Sequence, residues 1–145
     1  MVPTFEEILN NDALIKDASV LSPHYVPDML LYREEQIGAI MKEVAPALKN
    51  QKPKNIFVYG KTGTGKTTSL KFIMQKFDET KKKHNKGASI FYMNCRIYNS
   101  RYRIFQKFLK NYYDEIEKPG FGLSYFYEKM LEKLSEGEQI VLVLD

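Results

Sequence analysis

The chain has 145 residues, 43% hydrophobic and 28% charged, the make-up of one ordinary globular domain with a sizeable core. Lys and Arg number 22 against 18 Asp and Glu, a formal charge of +4 that permits contact with a polyanion without demanding it. Cys95 is the only cysteine, and there is neither a signal-peptide pattern nor an apolar run of about 18 residues, so internal disulfides are excluded and a cytoplasmic protein with no membrane partner is expected.

In chain order, Thr4 with Glu7 three residues later has the form of a capping box, which predicts a short helix carrying Phe5, Ile8 and Leu9. Ser22 to Asp28 reads as a loop, because Pro23 and Pro27 oppose a regular helix. Arg33 to about Leu48 reads as a helix with Ile37, Ile40, Val44 and Leu48 on one face, which Pro46 should kink or end early. Asn55-Ile56-Phe57-Val58-Tyr59 is apolar and β-prone, the pattern of a strand. After the glycine-rich stretch that follows it, Leu70, Ile73, Met74 and Phe77 recur at helical spacing. The charge run from Lys81 to Gly87 reads as a solvated turn. A second strand covers Ser89 to Met93, with Asn94, Cys95 and Arg96 at its end. A helix from Arg101 to about Ile116 would place Phe105, Phe108, Leu109, Tyr112 and Ile116 on one face. Pro119 to Gly122 is a turn, and a helix from Ser124 to Leu134 is expected to bury Tyr127, Met130, Leu131 and Leu134 before Gly137 breaks it. Gln139 to Leu144 is an apolar, β-branched run with the signature of a buried strand, and it ends on Asp145. Strand alternating with helix implies a parallel, layered α/β fold.

The chemistry lies in Gly60-Lys61-Thr62-Gly63-Thr64-Gly65-Lys66-Thr67. It fits G-x-x-x-x-G-K-[ST], the phosphate-binding loop (Walker A) of nucleoside triphosphatases, and it stands between a strand and a helix as that loop must. A triphosphate is a dense negative cluster that needs many N–H donors aimed at one point. Gly60, Gly63 and Gly65 let the backbone curl into such a nest. The helix that begins there adds its unpaired N–H groups and positive dipole end. Lys61, Thr62 and Thr64 contribute mainly N–H groups, and Thr68 is counted among the nucleotide contacts. Lys66 is expected on the β and γ oxygens, and the Thr67 hydroxyl on magnesium (Mg2+). Magnesium also needs a carboxylate. Asp145 stands where the Walker B aspartate belongs, beyond the carboxyl end of a buried strand, where open parallel sheets bind ligands. His24 and His84 have no metal-ligand spacing, Cys95 reads as a small buried hydrophobe, and no catalytic residue is assigned.

Tyr25-Val26-Pro27-Asp28, Arg33-Glu34-Glu35-Gln36-Ile37, the glycine loop, Asn94-Cys95-Arg96-Ile97-Tyr98 and Arg101-Tyr102-Arg103 together resemble archaeal replication initiators. These are AAA+ ATPases related to the origin recognition complex and the cell-division-control loader, and the resemblance runs from about Leu21 to Asp145. It implies an N-terminal extension over residues 1–20 and a partial AAA+ ATP-binding domain over 21–145, a P-loop NTPase sheet with three of the expected five core strands. It implies ATP or ADP with Mg2+ as cofactors, and origin DNA, a replicative helicase and other initiator subunits as partners. Tyr25, Val26 and Pro27 would pack around the adenine with Arg33 nearby, an apolar wall suited to a flat base. A DNA-contacting insertion would fall within Arg96 to Ser124, with Arg101, Arg103, Lys107 and Lys110 as candidates for phosphate contacts; a merely solvated helix face is an equal alternative.

Family members continue past the Walker B aspartate with a glutamate, sensor residues, an arginine finger, a helical lid and a winged-helix domain. The chain as given stops at Asp145, so nucleotide binding without hydrolysis is expected. The family's sheet order also puts a further strand between the phosphate-loop strand and the Walker B strand. Without it both lack their shared neighbour, and the chain is expected to be marginal, prone to association, or paired in a non-family way. Two other readings stand beside the initiator: a nucleotide or small-molecule kinase, which would need an acceptor pocket and a lid, and a non-catalytic remnant acting through protein contacts.

Overall fold

The computed structural model describes residues 17–22, 25–85 and 87–145; the Thr4–Glu7 capping box with its helix, Pro23 and His24 lie outside them. Helix α1 spans Glu34–Val44. As the proline anticipates, the helix does not run on to Leu48 as α. Pro46 has no N–H to give and its ring crowds the preceding turn, and the chain tightens into a 3-10 helix, Ala45–Lys49, closed by Asn50 in the left-handed region. Helix α2, Lys66–His84, starts at Gly65 and buries Ser69, Ile73 and Phe77. It takes in most of the charge run expected to be a turn. Lys81, Lys82, Lys83 and His84 form its last turn, where cations suit the negative end of the helix, and the Lys81 ammonium donates to Ser89 Oγ at 3.0 Å.

Strands β1, Ala88–Met93, and β2, Gln139–Leu144, pair in parallel with Ala88 opposite Gln139 and Met93 opposite Leu144. Their side chains alternate between two cores, as the two-residue strand period requires. Ala88, Ile90, Val141 and Val143 face Val44, Ala47 and Phe77 from α1, the 3-10 helix and α2. Phe91, Met93, Ile140 and Leu142 face Phe108, Leu109, Ile116 and Phe126 on the opposite side. The sheet is thus covered by helices on both faces, the environment parallel strands need.

Three further elements differ from expectation. Helix α3 covers Arg101–Leu109 only. Ser100 caps its start by accepting the Arg103 N–H, and Asn111 ends it, its side-chain amide donating to the carbonyls of Lys107 and Phe108 in the last turn. Ile116 reaches the same core from a separate 3-10 helix, Asp114–Glu117. Helix α4, Leu123–Ser135, turns a different face inward. Phe126 is fully buried and Met130 packs beside it, whereas Tyr127, Leu131 and Leu134 are 54%, 51% and 43% exposed. The helix carries two overlapping apolar stripes, and the one with the bulky Phe126 takes the core.

The third concerns the strand expected at Asn55–Tyr59. Among the described residues this segment joins no ladder, so the sheet has two strands rather than three. A cavity of about 320 Å³ separates it from β2, lined by Asn55 to Val58 on one side and Ile140 to Leu144 on the other. Its aromatic residues stand in solvent, Phe57 86% and Tyr59 82% exposed. The composition of a strand is present, but among the described residues no strand pairs with it.

Candidate functional site

The glycine loop has the conformation its sequence demands. Gly60, Gly63 and Gly65 have φ of 154°, 80° and 79°, angles that residues with a Cβ adopt only under strain. A Cβ added at Gly63 or Gly65 would meet no heavy atom within 4 Å, so what these positions require of glycine is the dihedral angle rather than space. Thr64 Oγ1 donates to the Lys61 carbonyl at 2.8 Å and ties the loop to itself. The Lys66 ammonium lies back across the loop and donates to the carbonyls of Gly60 and Lys61, both at 2.9 Å. Thr67 and Thr68 follow in the first turn of α2.

Asp145 arrives from the far side of the sequence. Its N–H donates to the Met93 carbonyl at 3.0 Å and its carbonyl accepts the Cys95 N–H at 2.6 Å, which extends the β1–β2 pairing beyond Leu144. Thr67 Oγ1 then donates to Asp145 Oδ2 at 2.8 Å across 78 positions of sequence. The Tyr92 hydroxyl donates to the same oxygen at 2.6 Å. The Tyr92 bond foremost, then that of Thr67 and the positive charges of Lys71 and Arg96, hold the Asp145 carboxyl below the usual carboxylate range against the opposing effect of burial. Burial first, and then the bond to Asp145 and its charge, push the Tyr92 phenol up to about 12. At neutral pH the pair is a carboxylate and a protonated phenol.

A hydroxyl and a carboxylate are hard oxygen donors, and the Thr67–Asp145 pair suits magnesium, which takes one or two protein ligands and keeps waters and phosphate oxygens for the rest. Among the described residues no cluster of three or more His, Cys, Asp or Glu could hold a metal by itself. Tyr92 is the site residue that sequence reasoning missed. It looks like one more apolar strand position. The signal that would have found it is its register, opposite Val143 and so on the face that Asp145 shares two residues further on.

The remaining candidates are less closely gathered. Tyr25 is 43% exposed and Val26, Pro27 and Arg33 are half-buried. Arg33 sits at the N-cap of α1, and among the described residues no side-chain hydrogen bond joins these four to the loop. Arg103, Lys107 and Lys110 share a shallow depression with Ile97 and Tyr98, from which Arg101 is left out. The Lys107 ammonium stands 5.8 Å from the Tyr98 ring centroid, Arg103 donates to the Ile97 carbonyl at 3.4 Å, and Lys110 is paired with Glu117.

Compared with known families, residues 49–145 match the model described as an AAA domain, a stretch that holds the loop, α2, both strands and Asp145. The chain belongs to the AAA domain family. The ORC1-type DNA replication protein of Pyrococcus abyssi is 35% identical over 144 residues, 97% of this chain and 34% of that protein. Among solved structures, the Aeropyrum pernix ORC1 protein in complex with DNA matches with a TM-score of 0.77 at 30% identity, over 87% of this chain and 33% of that one. Cdc6p from Pyrobaculum aerophilum matches with a TM-score of 0.72 at 29% identity, over 89% of this chain and 34% of that one. The resemblance to archaeal replication initiators is thereby borne out, as is the AAA+ type of P-loop fold. This AAA domain chain spans about a third of the length of the curated relatives it matches. No helix among its described residues is long and apolar enough to cross a membrane.

Proposed function

We propose that the chain is the ATP-binding portion of a DNA replication initiator, a partial AAA+ domain over residues 21–145 behind an extension over 1–20, and that it binds ATP or ADP with magnesium. The observation that carries this reading is the 2.8 Å bond from Thr67 to Asp145 beside the glycine loop, which joins the two halves of a nucleotide site from opposite ends of the sequence. In this reading the loop N–H groups surround the phosphates. Lys66 exchanges its two carbonyl partners for β and γ oxygens, and Thr67 and Asp145 hold magnesium, which screens phosphate charge when bound. Tyr25, Val26 and Pro27 wall the adenine, with Arg33 beside them. Cytoplasmic work on origin DNA with a replicative helicase and other initiator subunits is proposed for the whole protein; the names of its relatives support the part in DNA replication and the contact with DNA.

Thermal denaturation tests the core of the proposal. Nucleotide at a hundredfold excess over its dissociation constant contributes about 2.7 kcal/mol, a rise in Tm of about 5–10 °C for a domain of this size. No shift with ATP or ADP in magnesium would overturn the reading in favour of a remnant without nucleotide chemistry. Phosphate transfer to a small acceptor would favour a kinase instead.

Arg101, Arg103 and Lys107 are the proposed phosphate contacts to DNA, with Lys110 weakened in that role by its pairing with Glu117. About three contacts give a loss of about 40-fold in affinity for duplex DNA between 50 and 200 mM salt. Lys107→Ala is expected to lower the salt slope by about 1. Equal affinity at the two salt concentrations would refute these contacts.

A further inference from the structure

The carboxylate of Asp145 is held in an unusual way for a group with a single partner in the glycine loop. Two hydroxyls converge on one of its oxygens, Thr67 Oγ1 at 2.8 Å and the Tyr92 hydroxyl at 2.6 Å, both on Oδ2. A carboxylate oxygen has two lone-pair sites, so Oδ2 is filled. Among the described residues Oδ1 accepts no hydrogen bond and keeps both of its sites. We infer that Tyr92 is a positioning residue for the metal-binding carboxylate, fixing the rotation of the Asp145 side chain so that Oδ1 is the oxygen offered to the cation.

The surroundings of Tyr92 suit that role. The backbone on either side of Asp145 is fastened to Met93 and Cys95, so the same segment that holds the main chain of Asp145 also supplies the group that holds its side chain. Tyr92 is opposite Val143 in the ladder, one pleat before Asp145, and the length of a phenol spans the diagonal. The ring is steadied in turn by α2, whose Lys71 ammonium lies 5.8 Å from its centroid. Thr67 alone could not do the same work. Its hydroxyl is itself a proposed magnesium ligand and so is shared between the cation and Asp145, whereas the Tyr92 hydroxyl reaches Asp145 from the neighbouring strand with no metal role of its own. Among the described residues Asp145 is the carboxylate bonded to Thr67, and magnesium tolerates little departure from octahedral geometry, so the rotation of that side chain matters.

The inference rests on the magnesium site proposed above, and its test separates the two. Mn2+ is used as the probe, with free ion counted by electron paramagnetic resonance in the presence of ADP, on the full chain and on Tyr92→Phe, Asp145→Asn and the double variant. ADP affinity in EDTA is measured alongside. Tyr92→Phe keeps the ring and removes only the donor. It is expected to weaken Mn2+ binding about 10-fold or more, the usual effect of losing a partner of a metal ligand, and to leave metal-free ADP affinity within about twofold. In the Asp145→Asn background it should add nothing, since the two act as one unit. Mn2+ binding by Tyr92→Phe equal to that of the parent, with Asp145→Asn defective, would overturn the inference and leave the magnesium site standing. An equal loss of metal-free ADP affinity would also overturn it, as a structural effect. Absence of Mn2+–ADP binding in the parent chain would remove the magnesium site and the inference together.

Discussion

Lys66→Ala is expected to lower the affinity for ATP or ADP in magnesium by about 100-fold or more. The Lys66 ammonium now donates to the carbonyls of Gly60 and Lys61, both neutral acceptors. On nucleotide it would meet charged phosphate oxygens instead, and hydrogen bonds to charged groups contribute about 1.5–3 kcal/mol each. Two of them amount to about 3 kcal/mol at the low end, and each 1.4 kcal/mol is about tenfold in affinity. The fold should be spared. Lys66 is the first residue of α2, alanine is the strongest helix former, and the carbonyls that lose the ammonium are open to water. Titration calorimetry with ADP gives the affinity and circular dichroism the fold. A folded Lys66→Ala variant with full affinity would defeat the assignment of the site.

Phe108→Ala is the largest expected loss of stability. Phe108 has no exposed surface and meets Phe91 edge-on at 5.2 Å between ring centroids and Tyr112 at 5.4 Å. Truncating a buried phenylalanine costs about 3–5 kcal/mol through lost transfer energy and the cavity left behind, against about 5–15 kcal/mol for a whole domain. The urea midpoint should fall by about 2 M, or the variant should fail to fold. Leu131→Ala supplies the contrast. Leu131 belongs to the face of α4 that periodicity expected inside and that the structure leaves 51% exposed, so its loss should stay within about 0.5 kcal/mol. A loss of several kcal/mol at Leu131 would mean that the Leu131 face of α4, rather than the Phe126 face, lies in the core.

What could be read from sequence and what could not divide along physical lines. The conformation of the glycine loop is legible because it is local: consecutive residues set the dihedral angles, the Thr64 bond and the place of the Lys66 ammonium. Asp145 is legible because a carboxylate that closes an apolar, β-branched run falls at the strand end where a parallel sheet meets its ligand. Tyr92 is not, since its partner lies 53 residues away and only the strand register brings them together. The burial of α4 escaped for a related reason. Phe126 and Leu131 both lie on plausible apolar stripes, and only the neighbouring layer decides between them. Asn55 to Tyr59 has the composition of a strand, but ladder pairing belongs to two segments at once. The end of α3 turned on a single side chain, Asn111, whose amide competes with the next helical turn.

The glycine loop is therefore suspended unevenly. Its C-terminal rim is continuous with α2, which Ile73 and Phe77 anchor in the core. Its N-terminal rim hangs from Asn55–Tyr59, a stretch that among the described residues joins no ladder. On the proposed reading, a phosphate ligand arriving there would find one half of its cradle already set and would have to draw the other half into place. Part of the attraction would go into that settling, and the affinity would fall short of what a cradle rigid on both sides would give.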